Sequence, residues 1–150
     1  MRTTEKTTER QKPMNKLMLI MSIISSQDVS AADMQYKGKV SYFEADHRSS
    51  LINAAKPSVL PAHYCACRWK ESALCRNLKI DSSNLRETLY RSYRVEVMNP
   101  KNGRKRLVVP ADTGPARRTG RSLDLDKGTM DALGLETDDQ ALFKLVRRES

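Results

Sequence analysis

Aromatic residues are scarce in this chain of 150: one Trp, two Phe and five Tyr, 5% of the whole. With 39% hydrophobic residues, that is a lean supply for a core, and the length suits one domain rather than two. There is no internal repeat and no low-complexity tract, which excludes solenoid and polymer-like architectures. No apolar run approaches the roughly 20 residues a bilayer-spanning helix needs, so no transmembrane segment is expected. Acidic residues are also short: 18 against 27 basic, a net charge of +9. Such a balance favours an anionic partner, whether nucleic acid, anionic lipid or an acidic cell-wall polymer, and says nothing about fold. No helix-turn-helix, zinc-finger or ribonucleoprotein motif is present.

Cysteine occurs three times, at Cys65, Cys67 and Cys75. In an oxidising compartment one pair could close a short loop and leave one thiol over, and the pairing is not readable from the sequence. His63 joins them as a fourth possible zinc ligand. The spacing H-x-C-x-C-x7-C does not match a paired C-x2-C site, so metal is the less favoured reading.

What the chain does have begins at its N-terminus. Residues 1–16 hold five bases and only Glu5 and Glu9 as acids; Leu17 to Ile24 is a short apolar run, and Val29-Ser30-Ala31-Ala32 offers small residues. Basic, then apolar, then small is the order of a secretory signal, with cleavage expected after Ala31. Met14 is an alternative start. The competing reading is an amphipathic or buried helix of a cytosolic protein. The leader carries five of the 27 bases and three of the 18 acids, so the remainder keeps 22 and 15, a net of +7. The division expected is a leader over 1–31 and one domain over 32–150.

Within that domain, Gly38–Phe43 reads as a first strand, and a short helical turn is expected over Ser50–Ala55, stopped by Pro57. His63–Trp69 could be a strand, and Ser82 or Ser83 could cap a short helix through Leu85, Leu89 and Tyr90. After Ser92 the pattern sharpens. Arg94-Val95-Glu96-Val97-Met98 alternates as a half-buried strand does, Asn99-Pro100-Lys101-Asn102-Gly103 is a turn, and Arg104–Val109 returns, which predicts a hairpin. Gly and Pro force a loop at Ala111–Pro115. Ser122–Leu125 is a short strand. Asp126 is placed to cap a helix over Lys127–Leu133 that Gly134 ends, and Gln140–Val146 is a last strand.

The order of these pieces resembles the RlpA-like family. The strand–N-x-x-N-G–strand hairpin over 95–104 is followed by Asp112-Thr113-Gly114-Pro115, similar to the family's D-x-G-P. Gly120-Arg121-Ser122-Leu123-Asp124-Leu125 is similar to its G-R-x-[IL]-D-L, and Ala132-Leu133-Gly134 to its A-L-G. Gly38-Lys39-Val40-Ser41-Tyr42-Phe43 resembles the family's first strand. The clearest match runs over 93–146. The family's Ser-Gly-Glu segment is not visible; His63 is the candidate for its histidine, and residues 64–92 then form an insertion. The resemblance implies a mainly β fold, a six-stranded double-psi β-barrel with one or two short helices. It also implies a secreted or periplasmic protein acting on peptidoglycan, either a lytic transglycosylase cleaving between N-acetylmuramic acid and N-acetylglucosamine or a non-catalytic binder.

Lytic cleavage needs a carboxyl that first donates a proton and then takes one back. By resemblance Asp112 is the candidate acid/base, with Asp124 assisting from an adjacent strand. Arg117, Arg118 and Arg121 could hold substrate carboxylates, and Thr113 and His63 complete the expected substrate-binding set. Asp112 could equally be a turn residue bonding backbone amides, and Asp126 is read as a cap. Trp69, Tyr42 and Tyr64 could stack on sugar rings, although burial is commoner for such residues. No cofactor and no metal is implied, and no nucleic acid is expected if the chain is exported. A basic nucleic-acid-binding β-barrel is the alternative if it is not.

Overall fold

The structure, a computed structural model, describes residues 34–76, 78 and 80–149. The expected leader, its cleavage position after Ala31 and the alternative start at Met14 lie outside the described residues. The chain order is β1 (Tyr36–Tyr42), α1 (Ser50–Ala55), β2 (Tyr64–Ala66), α2 (Ala73–Arg76), α3 (Leu85–Ser92), β3 (Tyr93–Met98), β4 (Lys105–Asp112), a 3-10 turn (Arg117–Thr119), β5 (Leu123–Leu125), α4 (Lys127–Leu133) and β6 (Gln140–Arg147).

The six strands close into one barrel in the order β1-β5-β2-β4-β3-β6. Two of its pairs, β1 with β5 and β2 with β4, are parallel; the others are antiparallel. This is the mainly β, six-stranded barrel expected from the sequence. Among the described residues it carries four α-helices where the family resemblance implied one or two; α3 is the helix expected through Leu85, Leu89 and Tyr90, and α2 was not expected.

Alternation fills the interior. Val95 and Val97 of β3, Val108 of β4, Leu123 and Leu125 of β5, and Leu145 of β6 are buried, with Cys65 and Val40 among them. Each such aliphatic side chain contributes about 1.5–3 kcal/mol by leaving water. Met130 and Leu133 of α4 join this core. Outside the barrel, α1 packs against α3 and β4, and Ile52, Ala45 and Ala111 form a small second core.

The hairpin turn shows why its residues are Asn and Gly. Gly103 takes a positive φ of 74°, which costs glycine little. Asn99 accepts from the Lys101 backbone N–H at 2.9 Å, and Asn102 accepts from that of Arg104 at 2.9 Å. Both amide groups donate to the Leu133 carbonyl, at 2.9 and 3.0 Å. The turn thus satisfies the end of α4, which Gly134 closes in the left-handed region. Asp126 caps the other end, accepting from the Thr129 N–H at 2.8 Å.

The three cysteines are buried free thiols. Burial pushes Cys67 up to about 11 and Cys75 up to about 12, and raises Cys65 well above the ordinary thiol value. Among the described residues, no group of three His, Cys, Asp or Glu side chains could hold a metal ion, and no helix is long and apolar enough to cross a membrane.

Candidate functional site

The D-T-G-P loop leaves the end of β4 beside a bulge. Cys65 faces Pro110 but Ala66 faces Asp112, so Ala111 is an extra residue on β4. Its side chain drops into the small core with Ile52, and Asp112 is brought level with Ala66. On the other side of β2, Ala66 also faces Asp124, and Asp124 faces Ser41. Asp112, Ala66, Asp124 and Ser41 therefore form one row across four strands.

The two carboxylates do not come from adjacent strands, as the sequence suggested; β2 stands between β4 and β5. Two strand spacings put their Cα atoms roughly 10 Å apart. β2 was hard to place in advance because it is three residues long and pairs only with distant segments.

Asp112 is half-buried and anchored through one oxygen. Its Oδ1 accepts from the Thr113 N–H at 2.7 Å and the Ser50 N–H at 3.2 Å. Its Oδ2 has no hydrogen bond within the described residues and remains for an incoming group. The Asp112 carbonyl accepts from the Trp69 indole N–H at 2.7 Å, so Trp69 is a buried support rather than an exposed stacking platform. Thr113 exchanges a hydroxyl hydrogen bond with Ser50 at 3.1 Å, which ties the loop to α1 a second time.

Asp124 is also half-buried. Its Oδ1 accepts from the Ser41 hydroxyl, and Oδ2 lies 3.4 Å from where a Cβ on Gly114 would sit. Burial holds the Asp124 carboxyl above its ordinary value, against the opposing pull of the Ser41 hydroxyl and the Arg121 and Arg68 charges.

Arg68 was not singled out in the sequence, yet it fastens the loop: its Nη1 donates to the Pro115 carbonyl at 2.7 Å and the Arg121 carbonyl at 3.3 Å. It sits two residues beyond β2, and only the three-dimensional fold brings it there. Beside the loop lies a cleft of about 470 Å³, lined by Arg68, Glu71, Arg86, Thr113, Gly114 and Pro115 among others.

The expected substrate-binding residues divide. Arg117 is paired with Glu71 at 2.6 Å, and Arg121 with Asp138 at 2.9 Å. These pairs hold the Glu71 and Asp138 carboxyls below their usual range. Arg118 is exposed on the 3-10 turn with no ion pair among the described residues. His63 lies apart, before the start of β2, about three residues or roughly 10 Å along the chain from Ala66. Its Nε2 is 3.1 Å from Arg106 Nη1, and its Nδ1 is 3.2 Å from Thr129 Oγ1 and 3.5 Å from Asp126 Oδ2. A guanidinium only donates, so Nε2 accepts and the proton sits on Nδ1. His63 thus belongs to the α4 cap rather than to the carboxylate row.

No protein-family model matches the chain, and no curated protein matches it in sequence. Among solved structures, the Streptomyces papain inhibitor superposes on 76% of this chain and 96% of its own, with a TM-score of 0.51 and 20% identity. The likeness is one of fold. It supports the barrel, and the RlpA-like resemblance continues to stand on its motifs alone.

Proposed function

We propose that the protein acts on peptidoglycan outside the cytoplasm, as a lytic transglycosylase with Asp112 as acid/base and Asp124 assisting. The observation that carries this is the anchoring of Asp112: one oxygen is fixed by two backbone amides and the other is free, in the same row as a carboxyl whose burial favours its proton. Protonated Asp112 Oδ2 would donate to the bridging oxygen as the bond from the anomeric carbon breaks. The sugar's own 6-hydroxyl oxygen then bonds that carbon, and its proton passes to Oδ2. The enzyme ends as it began, with no water consumed. Asp124 keeps a proton in the row above the pH at which an exposed carboxyl would lose it.

A second reading keeps the site and drops the chemistry. It is favoured by the removal of His63 from the row and by the engagement of Arg117 and Arg121 with acidic side chains of the chain itself. The Streptomyces papain inhibitor, which has a similar fold, is by its name an inhibitor. Nucleic-acid binding gains less: of the hairpin cations, Lys101 is paired with Asp139 and Lys105 with Glu96, and Arg106 donates to His63.

The test is mass spectrometry of purified peptidoglycan after incubation with the full chain and with Asp112→Asn. Anhydro-muropeptides from the parent, reduced by about 100-fold or more in the variant, are the expected result. If neither releases fragments and both pellet with the wall, the protein is a binder. If it neither cleaves nor binds, the cell-wall reading is wrong.

A further inference from the structure

Three depressions adjoin one another through shared wall residues, on the surface to which residues 68–76, 78 and 80–92 contribute, within the insertion relative to the RlpA-like pattern. The first is the cleft beside the D-T-G-P loop. The second, about 180 Å³, shares Trp69, Lys70 and Leu85 with it and adds Arg76 and Ile80. The third, about 710 Å³, shares Ile80 with the second and is walled by Thr88, Arg91, Tyr93, Arg147 and Arg148. The roomiest of the three shares no wall residue with the cleft beside the D-T-G-P loop.

Cations line all three: Lys70 and Arg86 in the first depression, Arg76 in the second, and Arg91, Arg147 and Arg148 in the third. Of the acids in these walls, Glu71 is already paired with Arg117, and Glu149 faces the arginine end. No ion pair between described residues uses Arg147 or Arg148. The Arg147 guanidinium lies over the Tyr93 ring, 6.0 Å from its centroid, and burial together with the nearby Arg148 charge lowers the Arg94 pKa. Arg91 is paired with Glu87 at 2.7 Å, which leaves Arg147 and Arg148 as the neighbouring cations for which a ligand anion would be a partner.

We propose that the three depressions together are a track for a long glycan strand, whose carboxylate, several sugars from the reacting bond, is held by Arg147 and Arg148. This rests on the peptidoglycan reading above and adds the length of substrate and a remote anionic contact. A glycan suits the track better than single-stranded nucleic acid. Nucleic-acid channels stack bases on open aromatic faces, and the aromatics here are shut in, with Trp69 at 2% and Tyr93 at 7% exposure.

The experiment measures affinity for a peptidoglycan disaccharide and for an octasaccharide with its carboxylates intact. It uses the full chain carrying Asp112→Asn so that the fragments survive. Arg147→Ala/Arg148→Ala and Arg147→Lys/Arg148→Lys are added to that background, with thermal melts to show that both fold. The octasaccharide is expected to bind about tenfold or more tighter than the disaccharide. The alanine pair should lose that gain, the lysine pair should keep most of it, and disaccharide affinity should not change. A gain that survives the alanine pair, or no gain with length while the disaccharide still binds, overturns the track and leaves the peptidoglycan reading standing. If no glycan binds at either length and single-stranded DNA binds through Arg147 and Arg148, both readings fall together.

Discussion

Asp124 is the side chain at which burial meets the proposed chemistry. Its folded pKa is raised, chiefly by burial, so the folded protein prefers it neutral. The favourable state is complete below the unfolded value of about 3.9 and is lost as pH rises through the folded value. Asparagine imitates the neutral acid and can still accept from Ser41. Asp124→Asn should therefore melt a few degrees above the parent at pH 7, with the gap closing as pH falls towards 4. Melting curves across that range check it. A gap that is flat in pH would mean that the gain comes from packing and that the carboxyl is already as well solvated as an exposed one. The same variant should cleave glycan more slowly, since the row loses a titrating carboxyl. Higher stability with lower activity is the expected mark of a functional acid rather than a structural one.

Between the residue and the barrel stand the elements, and here the hairpin and α4 act as a unit. Asn99 is 1% exposed. It closes its own turn through the Lys101 N–H and donates to the Leu133 and Gly134 carbonyls at the end of α4. Asn99→Ala would take a partner from the Lys101 N–H and the Gly134 carbonyl, while the Leu133 carbonyl keeps Asn102, at a cost of about 1–3 kcal/mol. Lys127 and Asp131, by contrast, pair at i,i+4 on the exposed face of the same helix, and Asp131→Ala should cost about 0.5 kcal/mol or less. Urea denaturation of the two variants separates these values. A cost near that of Asp131→Ala would show that α4 ends without help from the turn. These elements were legible in the sequence because their signals are local: alternation in β3, Asn and Gly in the turn, an Asp cap and a closing Gly on α4. The helix bounds Lys127–Leu133 and Ser50–Ala55 came out as expected for that reason. The 64–92 stretch was legible only in part: a strand within His63–Trp69 and a helix through Leu85, Leu89 and Tyr90 were expected, but their bounds and α2 were not. β2 and α2 are three and four residues long, too short for a period to show, and α3 begins at Leu85 with no side-chain cap on Asn84. The candidate site shared this limit: Asp112 and Asp124 sit on local motifs and could be singled out as candidates from the sequence. The intervening Ala66, the latch of Arg68 and the separation of His63 depend on β2 and could not be.

At the scale of the whole molecule, closure of the barrel depends on its last strand. Along one side of β6, Gln140 to Phe143 pair with Lys39 back to Tyr36; along the other, Leu142 to Arg147 pair with Met98 back to Tyr93. β6 thus joins the first strand to the middle of the chain and also delivers buried Ala141, Phe143 and Leu145 to the core. Burial of Phe143 and Leu145 alone contributes about 3–6 kcal/mol, a large share of the roughly 5–15 kcal/mol by which a domain of this size is stable. Without β6, moreover, β1 and β3 would each have an unpaired edge, open to pairing with another chain. A chain ending after Asp139 should therefore show no cooperative melt and should associate, while one lacking only Glu149 and Ser150 should melt as the parent does. Circular dichroism melts with light scattering distinguish the outcomes. A cooperative, monomeric transition in the shorter chain would mean that the remaining strands hold together without closure. Because β1 must wait for β5 and β6, pairing across most of the sequence, the parent should also refold on the millisecond-to-second scale typical of non-local β topologies rather than in microseconds.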